Sequence, residues 1–244
     1  MASFNQYQFD DLLVRDEDVY AQTKYEMILA VLKDSGILTI LNAGCGSGEL
    51  SFLLAAAGHK VVGIDPSFEY IALAEKRCPN QLSAQCNFLV SSIETLPITE
   101  QYDCIIATDV LEHIEDHVTA IQKLVRLIKP GGTLIITVPA LAFLFGYHDE
   151  LLGHYRRYNR ANLNFLIKKN NDITVSSIRY FGFTLIPICY LYSKILRRPY
   201  PVAPKNLGIM ATIRQRIIMF ILRLDRHLPI PLGISLLAIG RKNF

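Results

Sequence analysis

The chain has 244 residues, 51% of them hydrophobic, with a formal net charge of +3. That length suits one α/β domain with additions, and the apolar fraction supports a sizeable core. Five cysteines (Cys45, Cys78, Cys86, Cys104, Cys189) are odd in number and show no C-x-x-C pair or zinc spacing, which argues against a disulfide framework and for reduced, cytoplasmic thiols.

Met1–Gln6 has neither a basic flank nor an apolar core, so no secretory leader is expected. Asp18–Lys33 reads as a helix within an N-terminal extension, residues 1–36. Strands are expected near 37–42, 60–65, 86–91, 103–109 and 132–138, with helical stretches between them. Gly58 stops the first crossover helix, and Pro130-Gly131-Gly132 stops a long one starting near Ile114. Residues 173–180 and 233–240 read as two further strands. Alternating β and α units predict a mostly parallel sheet with helices on both faces. The whole is expected to be one domain, with a core over 37–182, an insertion over 183–232 and a last strand over 233–244.

The most informative stretch is Leu38–Ser51. A β-rich run feeds a glycine turn at Gly44, Gly46 and Gly48, an apolar helical pattern comes next, and the second strand ends in Asp65. Glycines between strand and helix let the backbone approach a ligand with no Cβ in the way. A carboxylate at the tip of the second strand suits the two hydroxyls of a ribose. The spacing is G-x-G-x-G, where dinucleotide loops run G-x-G-x-x-G, and Glu49 at the helix start would repel a phosphate.

On these residues the chain resembles the class I S-adenosylmethionine-dependent methyltransferases, whose first motif looks like Asn42–Gly48 and whose ribose acid corresponds to Asp65. Asp103–Glu115 resembles the family's fourth strand and the helix after it, Leu127–Pro139 the turn into its fifth, and Ser91–Pro97 its adenine loop. The resemblance implies a Rossmann-like, seven-stranded sheet with an antiparallel edge and a helical insertion between the last two strands. It implies S-adenosyl-L-methionine as cofactor, S-adenosyl-L-homocysteine as product, and cofactor contacts from Gly44, Cys45, Gly46, Gly48, Asp65, Pro66, Ser92, Ile93, Thr108 and Asp109. Ser92 stands where many members carry Asp.

Acceptor chemistry is expected after the fifth strand, in Tyr147-His-Asp-Glu-Leu-Leu-Gly-His-Tyr-Arg-Arg-Tyr158, because open α/β sheets bind ligands beyond the carboxyl ends of their strands. Gly153-His-Tyr-Arg-Arg-Tyr158 resembles a methyltransferase subgroup associated with cell-surface glycan and lipid pathways. An acceptor hydroxyl gains from a base near neutrality, so His154 and His148 are the catalytic candidates, with Asp149 to orient an imidazole. Tyr147, Arg156, Arg157 and Tyr158 are the candidate substrate contacts. The plainer alternative for this loop is a capping and ion-pair network of Asp149 or Glu150 with Arg156 or Arg157. Asp109, Glu112 and His113 fall on one face if their segment is helical, an arrangement that suits packing or cofactor support; no metal is expected.

Charge is sharply partitioned. Residues 1–177 carry 14 Lys+Arg against 21 Asp+Glu, whereas 178–244 carry 11 against one, Asp225. The basic part is also apolar: Tyr180–Ser193 is uncharged, and Ile209–Leu228 mixes arginines with Ile and Leu. The uncharged run is too short to span a bilayer. Two readings stay open: a helical lid over the acceptor, or a lid that also touches a membrane through residues 180–228. Nucleic acid is disfavoured, since aromatics cluster with aliphatics. The sequence therefore points to a cytoplasmic enzyme, peripheral to a membrane in the second reading, that O-methylates a small, sugar-like or lipid-linked acceptor. The alternatives are a quinone, phenol or amine acceptor, or a nicotinamide-dependent oxidoreductase on a similar sheet. Oligomeric state is not readable.

Overall fold

A computed structural model describes residues 18–200, 220–222, 225 and 230–244. Residues 1–17 and nearly all of the expected second basic helix at 209–228 lie outside the described residues.

Helix α1 (Val19–Leu32) begins at Asp18, whose side chain accepts the Tyr20 N–H. Next in the chain are β1 (Thr39–Ala43), α2 (Glu49–Ala56), β2 (Lys60–Asp65), α3 (Phe68–Arg77), β3 (Cys86–Val90), β4 (Tyr102–Thr108), α4 (His117–Leu127) and β5 (Ile128–Pro139). Beyond β5 come α5 (Tyr147–Leu151), which opens the 147–158 segment, then α6 (Arg160–Lys168), β6 (Ile173–Phe181), α7 (Ile186–Tyr190), a π-helical turn Leu191–Leu196, and β7 (Ser235–Lys242).

The seven strands lie in the order β3-β2-β1-β4-β5-β7-β6. Strands β1 to β5 pair in parallel, and β7 runs antiparallel to both β5 and β6. Successive side chains point to opposite faces, so the two cores interleave along each strand. Ile40, Cys104, Ile106 and Ile135 face α1 and α2, meeting Ile28, Leu32, Leu50 and Leu54. Leu41, Ile105, Leu134 and Ile136 face α4 and α6, meeting Ile121, Leu124, Leu163 and Ile167. Each such fully buried aliphatic contributes roughly 1.5–3 kcal/mol.

Two boundaries differ from expectation. Helix α4 starts at His117 because the Asp116 side chain caps it through the Thr119 N–H. Strand β5 begins at Ile128, before the Pro-Gly-Gly turn, because Ile128 pairs with Tyr102 and an irregularity between Tyr102 and Cys104 absorbs the extra residues. The insertion leaves and re-enters the sheet side by side, Phe181 pairing with Ser235. Its ends therefore lie at the same edge as the exit of β5, where Pro139 also pairs with Ser235. Among the described residues no helix is long and apolar enough to cross a membrane.

Candidate active site

Strand β1 has β2 on one side and β4 on the other. Crossovers from β1 and β4 diverge there, which leaves a crevice at their carboxyl ends. Gly44, Gly46 and Gly48 all adopt positive φ (72°, 52° and 91°). A Cβ on Gly44 would lie 2.3 Å from Val110 Cγ2, and one on Gly48 would lie 2.7 Å from Phe52 Cζ. The turn is thus held tight against the segment after β4 and against α2, with no room for a side chain at either position. The Gly44 and Cys45 N–H groups both donate to Ile64 O.

Asp65 closes the crevice. Its Oδ2 accepts the Gly46 N–H at 3.1 Å and its Oδ1 accepts the Ser67 N–H at 3.0 Å. These bonds fix the carboxylate at the strand tip while leaving lone pairs on both oxygens. Burial raises its pKa, and the two backbone N–H groups work against that rise. Glu49 is occupied elsewhere, accepting from Arg77 Nη1 and Ser47 Oγ, each at 2.8 Å. Burial pushes the Cys45 thiol well up, so it is an inert small side chain.

At the tip of β4, Asp109 sits at φ 53°, in the left-handed region. Its backbone N–H donates to Thr137 O, and Thr137 Oγ1 donates to Asp109 Oδ1 at 3.0 Å. The other carboxylate oxygen takes an ion pair from Lys24, a buried lysine of α1. Tyr20, one turn earlier, stacks on Phe181 and donates to Ser235 Oγ at 2.6 Å. The N-terminal helix thereby forms a wall of the crevice. Sequence reasoning missed Lys24, which is buried on α1 together with Ala21, Thr23, Met27, Ile28 and Leu32.

The segment Leu111–His113 is a 3-10 turn, not the α-helix assumed from its spacing. Asp109 consequently does not share a helical face with Glu112 and His113, though its charge acts on both. Their neighbour is His154, brought over by the acceptor loop: the Tyr155 N–H donates to Glu112 O at 2.8 Å. The His113 and His154 rings meet edge to face at 4.6 Å. Glu112, His113 and His154 each offer a ligating atom within 4.8 Å of the others. Glu112 is fully buried, and neither carboxylate oxygen has a hydrogen-bond partner. Burial, with Asp109 nearby, raises its pKa well above the ordinary range. Burial, with His154 beside it, lowers His113 to about 4. Burial thus favours the neutral form of each.

His154 is oriented from behind. Its Nδ1 lies 2.9 Å from Asp149 Oδ1, and Arg157 Nε donates to the same oxygen at 2.8 Å. Asp149 Oδ2 accepts the Gly146 N–H at 3.0 Å. Burial would raise the Asp149 pKa, but the His154 and Arg157 hydrogen bonds and charge hold it below the usual range. An ionised carboxylate only accepts, so His154 carries its proton on Nδ1 and keeps a lone pair on Nε2.

The other candidate residues make different contacts. His148 turns away into the insertion: its ring stacks on Tyr200 at 3.8 Å and its N–H donates to Ser193 Oγ. Arg157 is buried and spends its donors on Asp149, Ala140 O and Tyr200, so the ion-pair alternative holds for it in place of a substrate clamp. Tyr158 is buried, donating to Leu111 O, with His117 Nδ1 2.7 Å from its hydroxyl. Ser92 closes a local turn, its Oγ accepting the Thr95 N–H and its N–H donating to Thr95 Oγ1, and the Ile93 side chain packs into the main core. Ser92 is half-buried and Ile93 buried. Tyr147, half-buried at the start of α5, and Arg156, which donates to Glu115 O, remain near the mouth, as do exposed Pro66 and half-buried Thr108.

A family model described as a methyltransferase domain matches residues 41–136. The human mitochondrial ubiquinone biosynthesis O-methyltransferase is 36% identical over 104 residues, 41% of this chain and 28% of that protein. The ubiquinone biosynthesis O-methyltransferase of Rickettsia canadensis is 37% identical over 112 residues, 46% of this chain and 47% of that protein. The chain thus spans less than half the length of these curated relatives. Among solved structures, magnesium protoporphyrin IX methyltransferase from Synechocystis with bound S-adenosylmethionine aligns at TM-score 0.53 and 25% identity, covering 64% of this chain and 71% of that one. Neither curated relative is named for a sugar-like or lipid-linked acceptor. Residues 41–136 thus match a methyltransferase domain, and the glycine turn, Asp65 and the strand order agree with the class I, S-adenosylmethionine-dependent kind.

Proposed function

We propose that the protein is an S-adenosylmethionine-dependent O-methyltransferase acting on a phenolic hydroxyl of the quinone-precursor type. The names of the curated relatives favour that acceptor over the sugar-like one expected from the loop, and they favour methyl transfer over hydride transfer. The residues present fit the cofactor: the Cβ-free turn admits a nucleoside, and the tied Asp65 carboxylate suits a ribose diol. Lys24 and Asp109 supply opposite charges where an amino acid's carboxylate and ammonium would lie. When bound, the cofactor supplies a methyl group on a good sulfonium leaving group.

The observation that carries this reading is the meeting of His154 with the turn after β4. His154 Nε2 takes the acceptor hydroxyl's proton as the oxygen attacks, and ionised Asp149 stabilises the imidazolium that forms. Burial favours the neutral forms of Glu112 and His113, which limits the charge that competes for the proton. Binding beyond the sheet end excludes water and sets the line of attack. A metal on Glu112, His113 and His154 is compatible with the donor types, but a nitrogen lone pair given to a metal cannot accept a proton. The setting is a cytoplasmic enzyme at a membrane surface. Calorimetry with S-adenosylhomocysteine and with NAD, then turnover on catechol-type and sugar acceptors, tests the reading. Binding of NAD alone, or methylation of the sugars alone, would overturn it.

A further inference from the structure

We propose that the segment 186–198 is a docking surface for an anionic lipid membrane. Helix α7 and the π-helical turn after it have two distinct sides. Cys189 and Ser193 point inward, Ser193 Oγ accepting the His148 N–H at 3.3 Å. Ile188, Leu191, Ile195 and Leu196 point outward and are 41–63% exposed. Lys194, Arg197 and Arg198 stand among them, also exposed. No acidic residue occurs between Asp172 and Asp225. The acid that does face this segment is Glu150 of α5, 3.6 Å from Arg197, with both side chains largely in water. Such a pair contributes little and yields readily to another anion.

Apolar side chains interspersed with cations are what an interfacial element needs: the aliphatics enter the acyl boundary and the cations meet anionic headgroups. A second copy of the chain fits worse. A two-fold contact pairs a patch with itself, which would set Lys194, Arg197 and Arg198 against their own copies. Docking would also reach the acceptor loop, since Tyr200 stacks on His148 and meets Arg157, the residue that holds Asp149. The surface rests on the methyltransferase reading for its purpose, but vesicle binding is measured without turnover, so the two fail separately.

The test is flotation of the full chain with vesicles of phosphatidylcholine alone or mixed with phosphatidylglycerol, at low and high salt. Binding is expected to the mixed vesicles only and to fall with salt. The variant Lys194→Gln/Arg198→Gln is expected to bind on the order of 30-fold more weakly, about fivefold per charge removed. Ile188→Ser/Ile195→Ser is expected to lose binding at any salt. Unchanged calorimetric binding of S-adenosylhomocysteine shows that both variants remain folded. Equal binding to neutral vesicles, retention by both variants, or a dimer in light scattering that Ile195→Ser abolishes would overturn the membrane assignment.

Discussion

His154 Nδ1 lies 2.9 Å from Asp149 Oδ1, and Asp149 is wholly buried. A buried carboxylate that is ionised and shared with Arg157 can act on its imidazole in two ways, by fixing the tautomer and by stabilising the charged form. His154→Ala is expected to lower kcat by roughly 10²–10⁴-fold, the usual contribution of a positioned base. S-adenosylhomocysteine binding, measured by calorimetry, should be unchanged. Asp149→Asn should also lower kcat while leaving KM for the cofactor alone. His148→Ala should do neither, and a loss of turnover there comparable to His154→Ala would reassign the base.

Asp65 is held by two backbone N–H groups and offers its remaining lone pairs to the crevice. Asp65→Ala is expected to weaken S-adenosylhomocysteine binding by about 10–100-fold, the loss of charge-assisted hydrogen bonds worth roughly 1.5–3 kcal/mol. Calorimetry at constant ionic strength measures this directly.

Lys24 joins α1 to the β4 tip through Asp109, an ion pair buried at the lysine and about one-third exposed at the carboxylate. Lys24→Met keeps the apolar stem and removes the charge. Thermal unfolding is expected to show a loss of about 1–3 kcal/mol, below the figure for a wholly buried pair because water reaches Asp109. The same variant should weaken S-adenosylhomocysteine binding, whereas Lys33→Met, at the exposed end of α1, should not.

Two neighbours titrate with opposite effects on stability. His113 is lowered to about 4, so the unfolded chain binds more protons than the folded one between about pH 6.5 and pH 4. Its contribution is complete above pH 6.5 and is lost as pH falls through that window. Glu112 is raised, so the folded chain holds a proton that the unfolded chain releases above the ordinary glutamate range. Stability therefore falls as pH rises past that range. Glu112→Gln should raise Tm at pH 7 but not at pH 4, and His113→Asn should flatten the acid limb. Differential scanning calorimetry across pH 4–8 gives both slopes.

If His154 Nε2 is the base, EDTA should leave turnover unchanged, and Mn²⁺ should inhibit by occupying Glu112, His113 and His154. Activation by Mn²⁺ with loss in EDTA would instead give the cluster to a metal. Steady-state rates with the metal and the chelator decide.

The cofactor end of this protein was legible in the sequence because its determinants are local. A strand, a glycine turn, a helix and a second strand ending in Asp65 succeed one another within 28 residues, and each is set by side-chain period or by backbone freedom. The mostly parallel sheet follows from β/α alternation, and the Asp149–Arg157 pair was an explicit alternative eight residues apart. The acceptor end was not legible. Which of the two histidines reaches the turn after β4 depends on the Tyr155 N–H finding Glu112 O across 43 residues. Whether Asp109 groups with Glu112 depends on a 3-10 turn and a left-handed backbone that spacing alone does not reveal. Lys24 reaches Asp109 across 85 residues, and only the packing of α1 on the sheet brings them together. Local preferences decide the elements and their order; burial of the two sheet faces decides which distant polar groups must satisfy one another, and at this site those are the groups that carry the chemistry.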